Sequence, residues 1–280
     1  MRKLRASAVV ALLLLIGVLL LIAVVPLLPH YDPYSQNLSA SLLAPGGVSF
    51  DGRMYILGTD TLGRDMLSRL ALAGQVSLFI GFSAVLVSLV MGVTLGLLAG
   101  FFRGWVENII MGIADLQLSI PRVLLLIAVA AILGTGVIKL ALLLGLTSWV
   151  AYGRVARAMA LSLREREFVL SATTQGATPA WNIRKHLLPN VLPQMLIVGS
   201  YELGQIIVLE SALSYLGLGV QPPLPSWGLM VSEGQTYLEL DPWLSVLPSI
   251  ALFMLVAGVQ IFSQSFTSEN DMSAEVAKAR

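Results

Sequence analysis

The sequence predicts an all-α membrane protein with about six transmembrane helices and both termini in the cytoplasm. Of its 280 residues, 56% are hydrophobic and 12% charged, and the mean hydropathy is +0.84. That much apolar surface exceeds what a water-soluble core can hide. A hydrocarbon core about 30 Å thick needs roughly 20 apolar residues per helix. Six stretches qualify, at about 8–28, 75–100, 106–133, 138–160, 194–216 and 243–265. Lys and Arg set the orientation, because cytoplasmic loops carry their excess. Arg2, Lys3 and Arg5 precede the first span, and Arg154, Arg157, Arg164, Arg166, Arg184 and Lys185 surround the 160–193 loop. The 217–242 segment has neither residue type.

The first span could be read as a cleaved signal with a basic start. Its apolar run is longer than such signals carry and no small-x-small site precedes Pro26, so it is expected to be retained. It forms, with an extracytoplasmic cap over 29–72, the first region, 1–72. Pro29, Pro33, Pro45, Gly46 and Gly47 keep that cap from forming a long helix.

The second region, 73–266, is the core, with tight turns at Arg103-Gly104 and Gly134-Thr135-Gly136. Gly92 and Gly96 are one helical turn apart and predict close helix packing within the subunit, the alternative being a face that pairs with a second membrane subunit. The third region, 267–280, is a polar cytoplasmic tail without apolar period, expected to lack regular structure.

Ionisable residues inside spans are costly and by default face a bundle interior or a water-filled path. Asp115 and Arg122 sit seven residues apart in span three, about 10 Å along one continuous helix, with Pro121 between them. Glu202, Gln205 and Glu210 share a face of span five. These five are candidates for lining a translocation path. The alternative is structural, with Glu210 paired to Arg122 and Glu202 near the inner interface. Lys139, near a span end, should snorkel to the outer interface.

Between spans four and five lies a polar segment that reads as two short helices. Gly176 supplies a left-handed cap for the first. Thr178 as N-cap and Pro179 at the first helical position start the second, and Leu188-Pro189 should end it. Small residues Ser171, Ala172 and Thr173 keep the bend slim enough to enter a groove on a partner.

The spacing of Ala172, Gly176, Ala177, His186, Leu188 and Pro189 resembles the EAA loop, the ATPase-coupling loop of bacterial ABC importer permeases. The family's Glu-Ala-Ala falls on Leu170, Ser171 and Ala172. Two further blocks resemble the C-type permease of dipeptide, oligopeptide and nickel importers. One is Leu57-Gly58-Thr59-Asp60-Thr61-Leu62-Gly63-Arg64-Asp65, continuing to Leu70. The other is Leu213-Ser214-Tyr215-Leu216-Gly217-Leu218-Gly219, continuing through Pro225-Ser226-Trp227-Gly228. The family's usual ending is replaced by Ser263 to Ser268.

This resemblance implies a type I importer permease fold, a bacterial inner-membrane location, and four kinds of partner. These are a second, B-type permease, two ATPase subunits, an extracytoplasmic solute-binding protein, and membrane lipid. Ser171, Ala172, Gly176, Ala177, His186, Leu188 and Pro189 would then form the coupling surface. Di- or oligopeptides are the implied cargo, with nickel chelates, glutathione or sugars as alternatives in the same family. A gradient-driven transporter or channel would need paired broken helices in matching halves, which the sequence does not display.

Other chemistry is missing from the sequence. There is no Gly-x-x-x-x-Gly-Lys-Ser/Thr loop, so ATP should bind to partners and the chain needs no cofactor of its own. Cysteine is lacking, and His30 and His186 lie on opposite sides of the membrane, so no metal site or enzyme nucleophile is expected. No basic stripe interleaved with aromatics suggests nucleic acid.

Overall fold

The computed structural model of the protein describes the backbone of residues 2–278 and the side chains of residues 7–264. Helix α1 (Arg2–Val24) leads into an irregular segment held by isolated bridges between Val48 and Met54 and between Thr59 and Asp65. Helix α2 (Met66–Phe102) begins earlier than the predicted span at 75. The Asp65 carboxylate caps it by accepting from the Ser68 N–H at 3.0 Å, a local signal that outweighs the charge of Arg69 one turn on.

The third predicted span is broken. Helices α3 (Gly104–Ser119) and α4 (Arg122–Leu133) meet at 93°. Pro121 has no N–H to donate and blocks the α conformation of its predecessor; Ile120 is accordingly extended, at φ −99° and ψ 128°. Asp115 and Arg122 therefore do not share a helix face.

Helix α5 (Val137–Leu163) packs directly on α2. A Cβ on Gly92 would lie 2.5 Å from the Trp149 carbonyl oxygen, and one on Gly96 would lie 2.4 Å from that of Gly153. The small-residue pair thus serves packing within this subunit.

After helix α6 (Glu167–Thr174), the chain enters helix α7 (Pro179–Asn182), which continues through a π turn, Ile183–Leu187, into α8 (Leu188–Tyr215). The expectation that Leu188-Pro189 would end this helix is not met. Pro189 and Pro193 each remove an N–H, but the widened π turn re-spaces the ladder just before them. The Asn190 side chain donates to the His186 carbonyl at 2.6 Å and adds a bond across this turn. The short helix α9 (Trp227–Gln235) and the long α10 (Trp243–Lys278) complete the chain. Helix α10 carries the backbone of the tail up to residue 278, where irregular structure was expected; residues 279–280 lie outside the described chain.

Among the described residues there is no β-strand, and five helices are long and apolar enough to span a membrane, with the bent α3–α4 pair as a sixth. Four apolar clusters order the bundle among the described residues, the smallest setting Ala114 of α3 against Trp149 and Val150 of α5. One joins α1, α2, α8, α9 and α10 around Trp227, Leu203 and Leu255. A second joins α2, α4, α5 and α8 around Ile80, Leu126, Leu144 and Ile206. A third fastens α6 and the π turn to α2, α5 and α8 through Val169, Leu187, Tyr152 and Met195.

Candidate functional site

In the polar knob between α5 and α8, the bend at Gly176 and the start of the second arm at Thr178-Pro179 form as the sequence predicts, while that arm runs on into α8 instead of ending at Leu188-Pro189. Gly176 has φ +90° and donates its N–H to the Thr173 carbonyl at 3.0 Å, while Ala177 donates to that of Ala172 at 3.0 Å. Thr178 accepts from the Trp181 N–H at 3.3 Å, with Pro179 at the first helical position. The two arms are then locked from within. Asn182, 1% exposed, donates to the Thr173 hydroxyl at 3.0 Å, and that hydroxyl donates to the Val169 carbonyl at 2.8 Å.

His186 sits between two aromatic edges, 5.3 Å from Phe168 and 5.0 Å from Trp181 between ring centroids. It ties α6 to the second arm by packing, as aromatic edge contacts do. Phe168, Leu170 and Trp181 nevertheless stay exposed, as do Ser171, Gly176 and Pro189, while Ala172, Ala177 and Leu188 are half-buried. Exposed aromatic and aliphatic side chains on a rigid polar knob suit it to insertion into a groove. Sequence reasoning identified the bend and His186 but not Phe168 and Trp181, whose proximity depends on the folded-back arms.

The intramembrane polar residues separate into distinct groups. Asp115 pairs with Arg154 at 2.6 Å and both side chains are exposed, so it belongs with the rows of ion pairs linking α3 to α5. Glu107 with Arg157 is another such pair. Arg122 donates to the Ser148 hydroxyl at 2.5 Å and lies 3.7 Å from Glu202. Gln205 is half-buried beside them on α8.

Glu210 is fully buried and does not pair with Arg122. It accepts from the hydroxyls of Ser77 at 3.0 Å, Ser214 at 2.8 Å and Ser211 at 3.3 Å. Ser214 in turn accepts from the Val220 N–H at 3.2 Å, holding the chain that leaves α8. The serines come from scattered positions, which is why the sequence did not reveal this hub. Lys139 donates to the Leu133 carbonyl at 2.8 Å and closes the end of α4.

The two other sequence blocks meet at the far side of the bundle. Asp60 holds Arg64 at 2.6 Å and lies 3.4 Å from buried Arg69, which also reaches Glu233 at 2.9 Å. Trp227, wholly buried, donates its indole N–H to the Leu70 carbonyl at 3.0 Å.

A sequence model described as "binding-protein-dependent transport system inner membrane component" matches residues 92–268, which include the knob and α8 to α10. The chain belongs to this family. It is therefore a multi-pass permease component of an ABC importer in the bacterial plasma membrane, with no catalysis of its own. Among curated relatives, the dipeptide transport system permease protein DppC of Alkalihalophilus pseudofirmus is 32% identical over 96% of this chain and 86% of its own length. The glutathione transport system permease protein GsiD of Pectobacterium atrosepticum is 36% identical over 77% of this chain and 71% of that protein. The nickel transport system permease protein NikC of Escherichia coli is 33% identical, covering 86% of this chain and 85% of its own. Among solved structures, an inward-facing MetNI methionine ABC transporter chain superposes with a TM-score of 0.57 at 19% identity. It covers 73% of this chain and 97% of that one, which shows the shared permease fold.

Proposed function

We infer that the protein is one half of the pore of an ATP-driven importer of di- or oligopeptides, working with a B-type permease, two ATPase subunits and an extracytoplasmic solute-binding protein. The knob carries this reading. A pair of internally locked helices, with exposed Phe168, Leu170 and Trp181, joins α5 directly to α8. Movement of a cytoplasmic ATPase against it would be delivered to the bundle rather than absorbed, because packed elements switch between discrete arrangements. Ser171, Ala172, Gly176, Ala177, His186, Leu188 and Pro189 form this coupling surface within a cytoplasmic loop at 160–193, and both termini share that side. The relatives named for dipeptides support peptide cargo. ATP is bound by the partner subunits, and this chain holds no cofactor.

Purification of the chain from its native membrane, followed by mass spectrometry and uptake of labelled dipeptides into vesicles, tests the reading. Co-purification of a second permease, ATPases and a binding protein, with ATP-dependent dipeptide uptake, is the expected result. A stable homo-oligomer without them would overturn it. Uptake of nickel chelates or glutathione but not peptides would transfer the cargo to the other relatives' class.

A further inference from the structure

The Arg122–Glu202 pair is an unusual ion pair for the interior of a membrane bundle. Glu202 is 6% exposed, yet one of its carboxylate oxygens accepts no hydrogen bond, and its 3.7 Å separation from the Arg122 guanidinium is too long to be one. The Arg122 Nε–H is likewise buried without an acceptor. A third unsatisfied group lies in the same layer. The Tyr152 hydroxyl is buried, has Ser88 beside it without a hydrogen bond of good geometry, and faces Gly199, one turn before Glu202 on α8; Tyr152 itself is one turn beyond Ser148 on α5.

Unsatisfied buried polar groups cost free energy that a merely structural pair would recover by closing to hydrogen-bond distance. Here the two partners sit on different elements, Arg122 at the start of α4 just after the Pro121 break and Glu202 midway along α8, and the Arg122 side chain is 34% exposed. The guanidinium therefore donates to Ser148 while lying beside Glu202 and opening to free space, and its element is not continuous with the rest of its span.

We propose that Arg122 and Glu202 form an exchangeable pair that reads the two charged ends of a zwitterionic cargo. Glu202 takes the cargo's ammonium group, Arg122 takes its carboxylate, and the pair closes on itself once the cargo has passed. Tyr152 supplies a hydroxyl to whichever polar group occupies the layer. This assignment rests on the peptide reading above. Because a binding protein delivers the cargo, contacts made after delivery alter the maximal rate and leave half-saturation with the binding protein.

The test is dipeptide uptake into proteoliposomes of the assembled complex at saturating loaded binding protein. It compares wild type, Arg122→Gln, Glu202→Gln, the double Gln variant, and the charge-keeping double Arg122→Lys/Glu202→Asp. Exchange predicts a tenfold or greater loss of maximal rate in both single variants and in the double Gln variant. It also predicts retention to within a few fold in the charge-keeping double, which shows that the altered site still folds. A structural pair predicts the opposite for the double Gln variant, since removing both charges orphans neither, and recovery to within twofold of wild type would overturn the proposal. Single variants at the wild-type rate would overturn it equally. A wild-type complex that moves another cargo but no peptide would contradict the peptide reading itself, an outcome distinct from wild-type peptide uptake with a recovered double variant.

Discussion

The knob, proposed above as the coupling surface, and the closure formed by residues 57–70 and 210–228, which the same proposal makes the outer closure, use glycine and polar bonds in opposite ways. At the knob, Gly176 takes φ +90° with no atom within 4 Å of where a Cβ would stand, and large apolar side chains remain exposed around it. In the outer closure, a Cβ on Gly63 would lie 1.8 Å from the Asn37 carbonyl oxygen, and one on Gly228 would lie 2.2 Å from that of Ser211. Arg69, Trp227 and Glu210 are buried there in ion pairs or hydrogen bonds. One region is rigid inside and open outside, fit to be gripped. The other is packed shut, fit to hold the ends of α2, α8 and α10 in register.

The difference makes graded predictions. Arg69→Met should have the largest effect, since it removes the buried cation that bridges Asp60 to Glu233 and leaves Asp60 with Arg64 alone; breaking a buried pair costs about 3–5 kcal/mol, and the low end applies because the Glu233 side chain is 35% exposed. Thermal unfolding in detergent should show a large drop or no folded protein, and an unchanged midpoint would dissolve the contrast. Gly228→Ala comes next. Its methyl must displace backbone, and overpacking of this kind costs about 1–3 kcal/mol. Ser214→Ala, which strips Glu210 of one donor and Val220 of its acceptor, should cost about 1–3 kcal/mol by the same melting measurement.

The knob should respond differently. Trp181→Ala is expected to lower the melting midpoint by less than any of these, because the ring is 47% exposed, while reducing uptake severalfold. A melting shift as large as that of Gly228→Ala would mean that Trp181 is part of the fold's core.

The smallest effect concerns Asp241, between α9 and α10. Burial raises its pKa above the usual carboxylate value, against a lowering hydrogen bond from the Trp243 backbone. A raised folded pKa means the charged form is disfavoured in the folded protein, so stability falls as pH rises through the window above the ordinary value of 3.8. Asp241→Asn should flatten that slope and leave stability at neutral pH equal or slightly higher; a steeper slope in the variant would reverse the sign of the argument.

The same contrast explains what could be read from the sequence. The knob was legible because its signals are local: Gly176 for the left-handed cap, Thr178 and Pro179 for the next helix. The outer closure was legible only as two motif blocks. Its bonds join Asp60 to Arg69 and Glu233, and Ser77 to Glu210, across distances along the chain that no periodicity reports. The 106–133 stretch was apolar enough to pass as one span, although Pro121 already favoured an extended Ile120. Leu188-Pro189 misled in the other direction, because a π turn can carry a helix past a proline and leaves no pattern in the sequence. Of the five polar candidates for a translocation path, Glu202 and Glu210 are buried, Arg122 and Gln205 are half-buried and Asp115 is exposed, and their partners were set by tertiary packing: Arg154 for Asp115, serines for Glu210, and Arg122 for Glu202.

The central claim is that the knob transmits ATPase motion to the bundle. The most direct measurement is the ratio of ATP hydrolysed to cargo imported in proteoliposomes carrying Gly176→Pro or Ala172→Trp. Pro cannot adopt the φ of +90° at position 176, and Trp at position 172 thickens the slim face of the bend. The account predicts inserted complexes that still hydrolyse ATP while uptake falls at least tenfold. Unchanged uptake per ATP in both variants would contradict it.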